Sequence, residues 1–195
     1  GELLRLIHFI SEETNQRKPA YELYLKSYLL WIGAHLSREG FLSAMNVSVY
    51  SYIAMAKRMV PLMAGHKASL LTLSYLGGEK VVPNYNTMGL CKAALESATR
   101  YIAADVGPQG IRANTLSCGP IKTLAASGIK GFSSMLAQCK AVSPSRSLVS
   151  IDEVGNTAAF LLSDNSLGIT AETIYIDGGF NALAYCVDQA ASENA

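Results

Sequence analysis

Three residues of this chain, Tyr75, Tyr85 and Lys92, have types and spacing suited to proton transfer and to holding a polar ligand. In the stretch PNYNTMGLCK, residues 83–92, Tyr85 and Lys92 stand seven positions apart in a segment that reads as the start of a helix. Seven helical residues advance about 700°, two turns less about 20°, with roughly 10.5 Å of rise. The two side chains are therefore expected to line one wall. An ammonium beside a phenol favours the phenolate and draws a group of ordinary pKa about 10 toward proton exchange nearer neutrality. It could equally hold a sugar hydroxyl. With ten tyrosines in the chain, spacing alone is weak evidence, because a packed tyrosine and a solvated helix lysine give the same pattern. Placement strengthens it: the pair follows a strand-like run at 68–76, at the carboxyl end expected of a parallel sheet, where such folds bind ligands. Tyr75 lies at the tip of that strand and is within reach of the same cleft.

The elements that must position these residues follow a regular grammar from residue 40 onward. Short β-rich runs, ASLLTLSYL (68–76), IRANTLSCG (111–119) and TIYIDGG (173–179), alternate with longer stretches of helical period. The helical stretches are FLSAMNVSVYSYIAMAKRMVPLM (41–63), NYNTMGLCKAALESATRYIAADVG (84–107) and DEVGNTAAFLLS (152–163). Asp152 is expected to cap the last of them, and Gly107-Pro108 to stop the middle one. The pattern predicts an α/β fold, a parallel sheet with covering helices. Residues 1–36 show no strand-turn-helix unit and stay unassigned, leaving 37–195 as the α/β part. The stripe Ala44, Val47, Ala54 and Met55 reads as core or subunit interface, Asn114 as a strand residue bonding to backbone, and Asp177-Gly178-Gly179 as a structural turn.

Composition narrows the function classes. The chain has 195 residues, half of them hydrophobic and 16% charged, with a net charge of +1, so a sizeable core is expected and no broad basic face for nucleic acid or anionic membrane. The apolar stretch 41–63 is broken by Asn46, several serines and Lys57-Arg58 before it could span a bilayer. Cys91, Cys118, Cys139 and Cys186 form no C-x-x-C pair, and no histidine stands at metal-ligand spacing, His8, His35 and His66 being isolated; free thiols in the cytosol and no metal site are expected. The start has neither an initiator Met nor a signal-peptide pattern, as expected of a fragment.

The run LLTLSYLGGEKVVPNYNTMGLCKAALESATRYIAADVGPQGIRANTLSCGPIKTLAASGI closely resembles the bacterial enoyl-acyl-carrier-protein reductases of the short-chain dehydrogenase/reductase superfamily. The resemblance extends from HLSREGF (35–41) through VGNTAAFLLSDNSLGITAETIYIDGGF (154–180), which implies that 37–195 is the carboxyl-terminal part of a Rossmann-like reductase domain, a partial, doubly wound parallel sheet with covering helices. The superfamily's commoner motif is Tyr-x3-Lys, yet position 89, where that lysine would stand, is Gly89. Tyr-x6-Lys with a second tyrosine ten residues earlier marks the enoyl reductase branch.

The resemblance implies reduction of a trans-2-enoyl thioester, carried by acyl carrier protein, with NADH as hydride donor and NADPH not excluded. Tyr85 matches the family's catalytic tyrosine, Tyr75 its other active-site tyrosine and Lys92 the lysine that holds the cofactor ribose. Ile121, Lys122, Thr123, Leu124 and Ala125 match its cofactor-contacting run, and Gly128 and Gly131 suggest a flap that closes over the acyl chain. In the family the helices matching 41–63 and 85–104 pair between subunits, which implies a homotetramer. The amino-terminal half of the family, with its glycine-rich phosphate loop, has no counterpart: the only glycines before residue 65 are Gly1, Gly33 and Gly40. A reductase of which this chain is all or part and a non-catalytic remnant that keeps the oligomer interface both remain open. A ketoacyl or alcohol dehydrogenase of the same superfamily is disfavoured by Gly89.

Overall fold

The computed structural model describes residues 36–83, 85–121 and 132–183. The chain divides into two units, residues 1–42 and 43–195. Of the first, the described part is the opening of helix α1 (Arg38–Met45), where the Ser37 hydroxyl accepts the Gly40 N–H. The second continues through a π-helical turn, Asn46–Tyr50, into α2 (Ser51–Met63). The single helix expected over 41–63 is therefore interrupted by one wider turn.

Three strands follow, β1 (Ala68–Tyr75), β2 (Ile111–Cys118) and β3 (Thr173–Ile176), paired in parallel in the order β1-β2-β3. Between β1 and β2 runs α3 (Asn86–Val106), and between β2 and β3 lie α4 (Phe132–Val142) and α5 (Ile151–Leu162). Parallel neighbours require such crossovers, since a two-residue hairpin cannot return the chain to the same end.

Side-chain alternation along β2 shows helices on both faces. Thr115 donates to Thr99 of α3 at 3.0 Å, whereas Arg112, on the other face, donates to the carbonyls of Leu161 at 2.8 Å and Ser163 at 3.1 Å, at the end of α5. β1 follows the same rule: Ser74 bonds Glu96 of α3, and Ser69 donates to Leu161 O at 3.1 Å. The doubly wound arrangement is thus carried by the period-two alternation of the strands. The buried residues of α3, Cys91, Leu95, Glu96, Thr99, Ala103 and Val106, recur at helical spacing, and Cys91, Leu95, Ala103 and Val106 join Leu70, Ile111 and Ala113 in the core. Asn114 bonds backbone on both sides, donating to Ile169 O at 2.8 Å and accepting from Glu172 N at 3.1 Å. Ala44 packs against the core, while Val47 and Met55 point outward, so the expected stripe divides between core and surface.

Two helix boundaries follow from local chemistry. α3 stops at Val106, where the Gly107–Gln109 turn ends in Gly110 at φ 77°, a left-handed conformation natural to glycine. α5 is capped by Ser150, not by Asp152, which sits in the first turn. The Ser150 hydroxyl accepts the Glu153 N–H at 3.2 Å and the Glu153 carboxylate accepts the Ser150 N–H at 2.7 Å, a reciprocal pair that a residue two positions later cannot form. Ser150→Ala should lower stability by about 1 kcal/mol in urea unfolding. Gly155 lies inside α5 with open space at its Cβ position, so Gly155→Ala should raise the same midpoint, by up to about 1 kcal/mol.

Candidate active site

The end of β1 and the start of α3 meet at two aromatic rings. Tyr75 closes β1 in extended backbone, and a short turn, Leu76–Gly78, follows it. Tyr85 is the residue from which α3 begins; its carbonyl already accepts the Gly89 N–H at 3.0 Å. The rings of Tyr75 and Tyr85 stand edge to face, with centroids 5.0 Å apart and planes at 71°. This is a favourable aromatic geometry that fixes each ring against the other. On its far side the Tyr75 hydroxyl donates to Met135 Sδ of α4 at 3.8 Å.

Lys92, two turns along α3, donates from Nζ to Leu73 O of β1 at 2.8 Å. Burial lowers its pKa, opposed by Cys118, Cys91 and Glu96. Cys118 is the register partner of Tyr75 at the end of β2, so the lysine approaches the carboxyl ends of both strands. Burial raises the pKa of the Cys118 thiol, and Lys92 opposes the shift. The buried carboxyl of Glu96, four residues beyond Lys92, is held by the Ser74 hydroxyl.

The protonation of Tyr85 differs from the expectation drawn from Lys92. Its pKa is raised, first by burial and then by Cys91, so the phenol stays neutral near pH 7 and is a hydrogen-bond donor. The ammonium is turned to Leu73 O and does not offset the loss of water around the ring. Tyr75 is pushed up to about 12 by burial, with Cys139 and Tyr85 adding to it.

Of the cofactor-contacting run, Ile121 is half-buried just beyond the buried Gly119 and Pro120; Lys122, Thr123, Leu124 and Ala125 lie outside the described residues, as do Gly128 and Gly131. Sequence reasoning missed Met135, Ser74, Glu96 and the clamp on the turn after β1, where Tyr175 of β3 donates to Glu79 and Lys80 donates to Asn181 O. Only the i, i+4 spacing of Lys92 and Glu96 could have signalled any of these. A separate cavity of about 540 Å³ opens beside β3, against Glu153, Tyr175 and Asp177, and none of Tyr75, Tyr85 and Lys92 lines it. Asp177 accepts from Gly179 N at 2.9 Å and Asn181 N at 2.7 Å, the turn-holding role expected of it. Among the described residues there is no cluster of side chains suited to a metal ion, and no helix long and apolar enough to cross a membrane.

The sequence model of a family described as enoyl-(acyl carrier protein) reductase matches residues 32–181. The chain belongs to this family. It is 55% identical over 149 residues to the Escherichia coli (strain K12) enoyl-acyl-carrier-protein reductase (NADH) FabI, across 76% of this chain and 56% of that protein. The protein of the same name from Bacillus subtilis (strain 168) is 48% identical over 155 residues, across 78% of this chain and 60% of its own length. Among solved structures, the enoyl-acyl-carrier-protein reductase (NADH) of Aquifex aeolicus superposes with a TM-score of 0.75 at 47% identity, over 78% of this chain and 59% of that one. The Anaplasma phagocytophilum enzyme, solved in complex with NAD, gives 0.74 at 46% identity, over 79% and 58%. This family member thus spans just over half the length of the relatives it matches.

Alkaline titration tests the site's protonation. The folded pKa of Tyr75 lies above the unfolded value of about 10, so its contribution to stability is whole below pH 10 and falls away as the pH rises toward 12. Phenolate absorbance should show a component near 12 that Tyr75→Phe removes, together with a shallower alkaline loss of stability in that variant.

Proposed function

We propose that this chain carries the acyl-binding and nicotinamide-facing part of a bacterial enoyl-acyl-carrier-protein reductase, which reduces a trans-2-enoyl thioester to the acyl thioester in fatty acid biosynthesis. The observation that carries the reading is the neutral, half-buried Tyr85 phenol set edge-on to Tyr75, at the start of the helix that carries Lys92 and at the carboxyl end of a parallel sheet. The names of its relatives support NADH as the cofactor.

The residues fit the nicotinamide-ribose end of such a cofactor. Among the described residues Lys92 Nζ makes one hydrogen bond, to Leu73 O, which leaves two of its three N–H donors for a sugar diol. Bound NADH would supply a hydride to the substrate's β-carbon. The negative charge would then gather on the thioester oxygen, where the neutral Tyr85 phenol would donate its O–H hydrogen bond, and a proton taken up at the α-carbon would complete the acyl thioester. A neutral donor suits this role better than a phenolate, which would repel the developing charge. Tyr75 packs against the Tyr85 ring and limits its rotation. Ile121 follows β2 at this end of the sheet, and by the resemblance the run from Ile121 to Ala125 would border the nicotinamide.

The partner in this reading is acyl carrier protein bearing the enoyl group, in the cytoplasm. The assembly is a homotetramer, supported by the exposed apolar side chains Tyr50, Met55, Leu62, Leu90 and Tyr101 on α2, α3 and the turn before α2.

The test titrates the purified chain with NADH and NADPH by fluorescence, then follows cofactor oxidation with a crotonyl thioester. Binding and turnover are expected. Neither signal from a cooperatively folded chain would reject the enzyme reading and favour the remnant that keeps only the interface. In active protein, Tyr85→Phe should lower kcat about 100-fold with little change in cofactor affinity. Lys92→Ala should weaken cofactor binding about tenfold or more. Unchanged turnover in Tyr85→Phe would remove the oxyanion role.

A further inference from the structure

Three glycines, Gly77, Gly78 and Gly89, stand where the turn after β1 meets the start of α3, and the reason for glycine there is space. The positive-φ glycines of the described residues are Gly65, Gly110, Gly178 and Gly179, so Gly77 and Gly89 are not required by backbone conformation. A Cβ at Gly77 would overlap Tyr85 Cδ1 and come within 2.8 Å of Cε1. A Cβ at Gly89 would stand 2.7 Å from the Gly77 carbonyl oxygen. At Gly78 it would meet Glu96 Oε1 at 2.8 Å and the backbone of Lys92 and Ala93 at 3.1 Å. The turn is also gripped from the other side, by Tyr175 on Glu79 and Lys80 on Asn181, so it cannot simply swing away.

We propose that Gly77 and Gly89 are positioning residues for Tyr85: the bare Gly77 backbone forms a flat seat for the ring, and Gly89 lets that seat rest directly on α3. The seat and the edge of Tyr75 hold two sides of the ring and set the direction of its hydroxyl. The same contact accounts for the Tyr-x6-Lys spacing. A lysine at position 89 would place its Cβ in the Gly77 carbonyl, so the cation on this helix face has to come from further along, at Lys92. The catalytic consequence rests on the reading of Tyr85 given above; the positioning does not.

A double-mutant cycle tests it in the chain as it stands. Gly77→Ala should lower the thermal midpoint by about 4 °C or more. It should also abolish the ring-to-ring nuclear Overhauser contacts between Tyr75 and Tyr85. In a Tyr85→Ala background the same substitution should cost less than half as much, since the ring it strikes is gone. Should Gly77→Ala alone fail to fold, refolding in that background is the expected rescue. Gly89→Ala should destabilise, against the sign of helix propensity and opposite to Gly155→Ala. Where the protein turns over, Gly77→Ala should lower kcat at least tenfold with cofactor affinity within about twofold, the split expected of a misplaced donor. An equal cost of Gly77→Ala in both backgrounds, no rescue by Tyr85→Ala, or a rise in midpoint for Gly89→Ala would overturn the proposal. Absence of turnover in the unmodified protein would remove the proposed function, while the coupling between Gly77 and Tyr85 measured by the cycle would still decide the positioning.

Discussion

The arrangement at the open end of the sheet follows from the burial of β2 on both faces. Ile111 to Ser117 are all buried, and four of the seven, Arg112, Asn114, Thr115 and Ser117, are polar. Their alternation allots Thr115 to the α3 face and Arg112 and Asn114 to the α5 side, where each finds a partner. Sliding the strand by one residue would exchange the faces and strand these groups without partners, at a cost of about 1–3 kcal/mol for each. The register is therefore pinned, and with it the pairing of Tyr75 with Cys118 where the strands end. The site sits where it does because a buried polar strand tolerates one register.

From that fixed end the chain builds the site with few degrees of freedom. Tyr75 finishes the strand, a three-residue turn follows it, and α3 starts from Tyr85, ten residues after Tyr75. Seating the turn on the helix brings backbone, rather than side chains, against the Tyr85 ring. The same closeness takes water from the phenol and moves its pKa upward, further from neutrality. The direction of the proposed donor and the upward shift of its pKa thus share a cause, and a substitution that opened the seam would move both.

Much of this is legible in the sequence, for reasons particular to each element. The strands announce themselves as β-rich runs ended by turn residues, and Gly107-Pro108 marks the end of α3. The pairing of Tyr75 with Tyr85 is legible because Tyr75 ends the strand and Tyr85 opens the helix that follows it. The cap of α5 misleads because Asp152 is the nearer acidic residue, although Ser150 and Glu153 carry the reciprocal pattern. The protonation of Tyr85 misleads because the sequence displays the charge of Lys92 and neither the burial of the ring nor the carbonyl that engages the ammonium. The role of Gly77 and Gly89 is hidden, since a missing side chain does not say what occupies its place.

In the proposed enzyme, Tyr85 and Lys92 form the wall for the nicotinamide half of a dinucleotide. Reduced nicotinamide mononucleotide isolates that half, because it lacks the adenosine phosphate end of the dinucleotide. The decisive measurement is a titration of the isotope-labelled chain with this mononucleotide, followed by nuclear magnetic resonance at the tyrosine rings and the lysine ammonium groups. Saturable shifts centred on Tyr75, Tyr85 and Lys92, lost in Lys92→Ala, are expected; shifts confined to the cavity beside β3, or none at saturating mononucleotide, would show that the wall does not bind it.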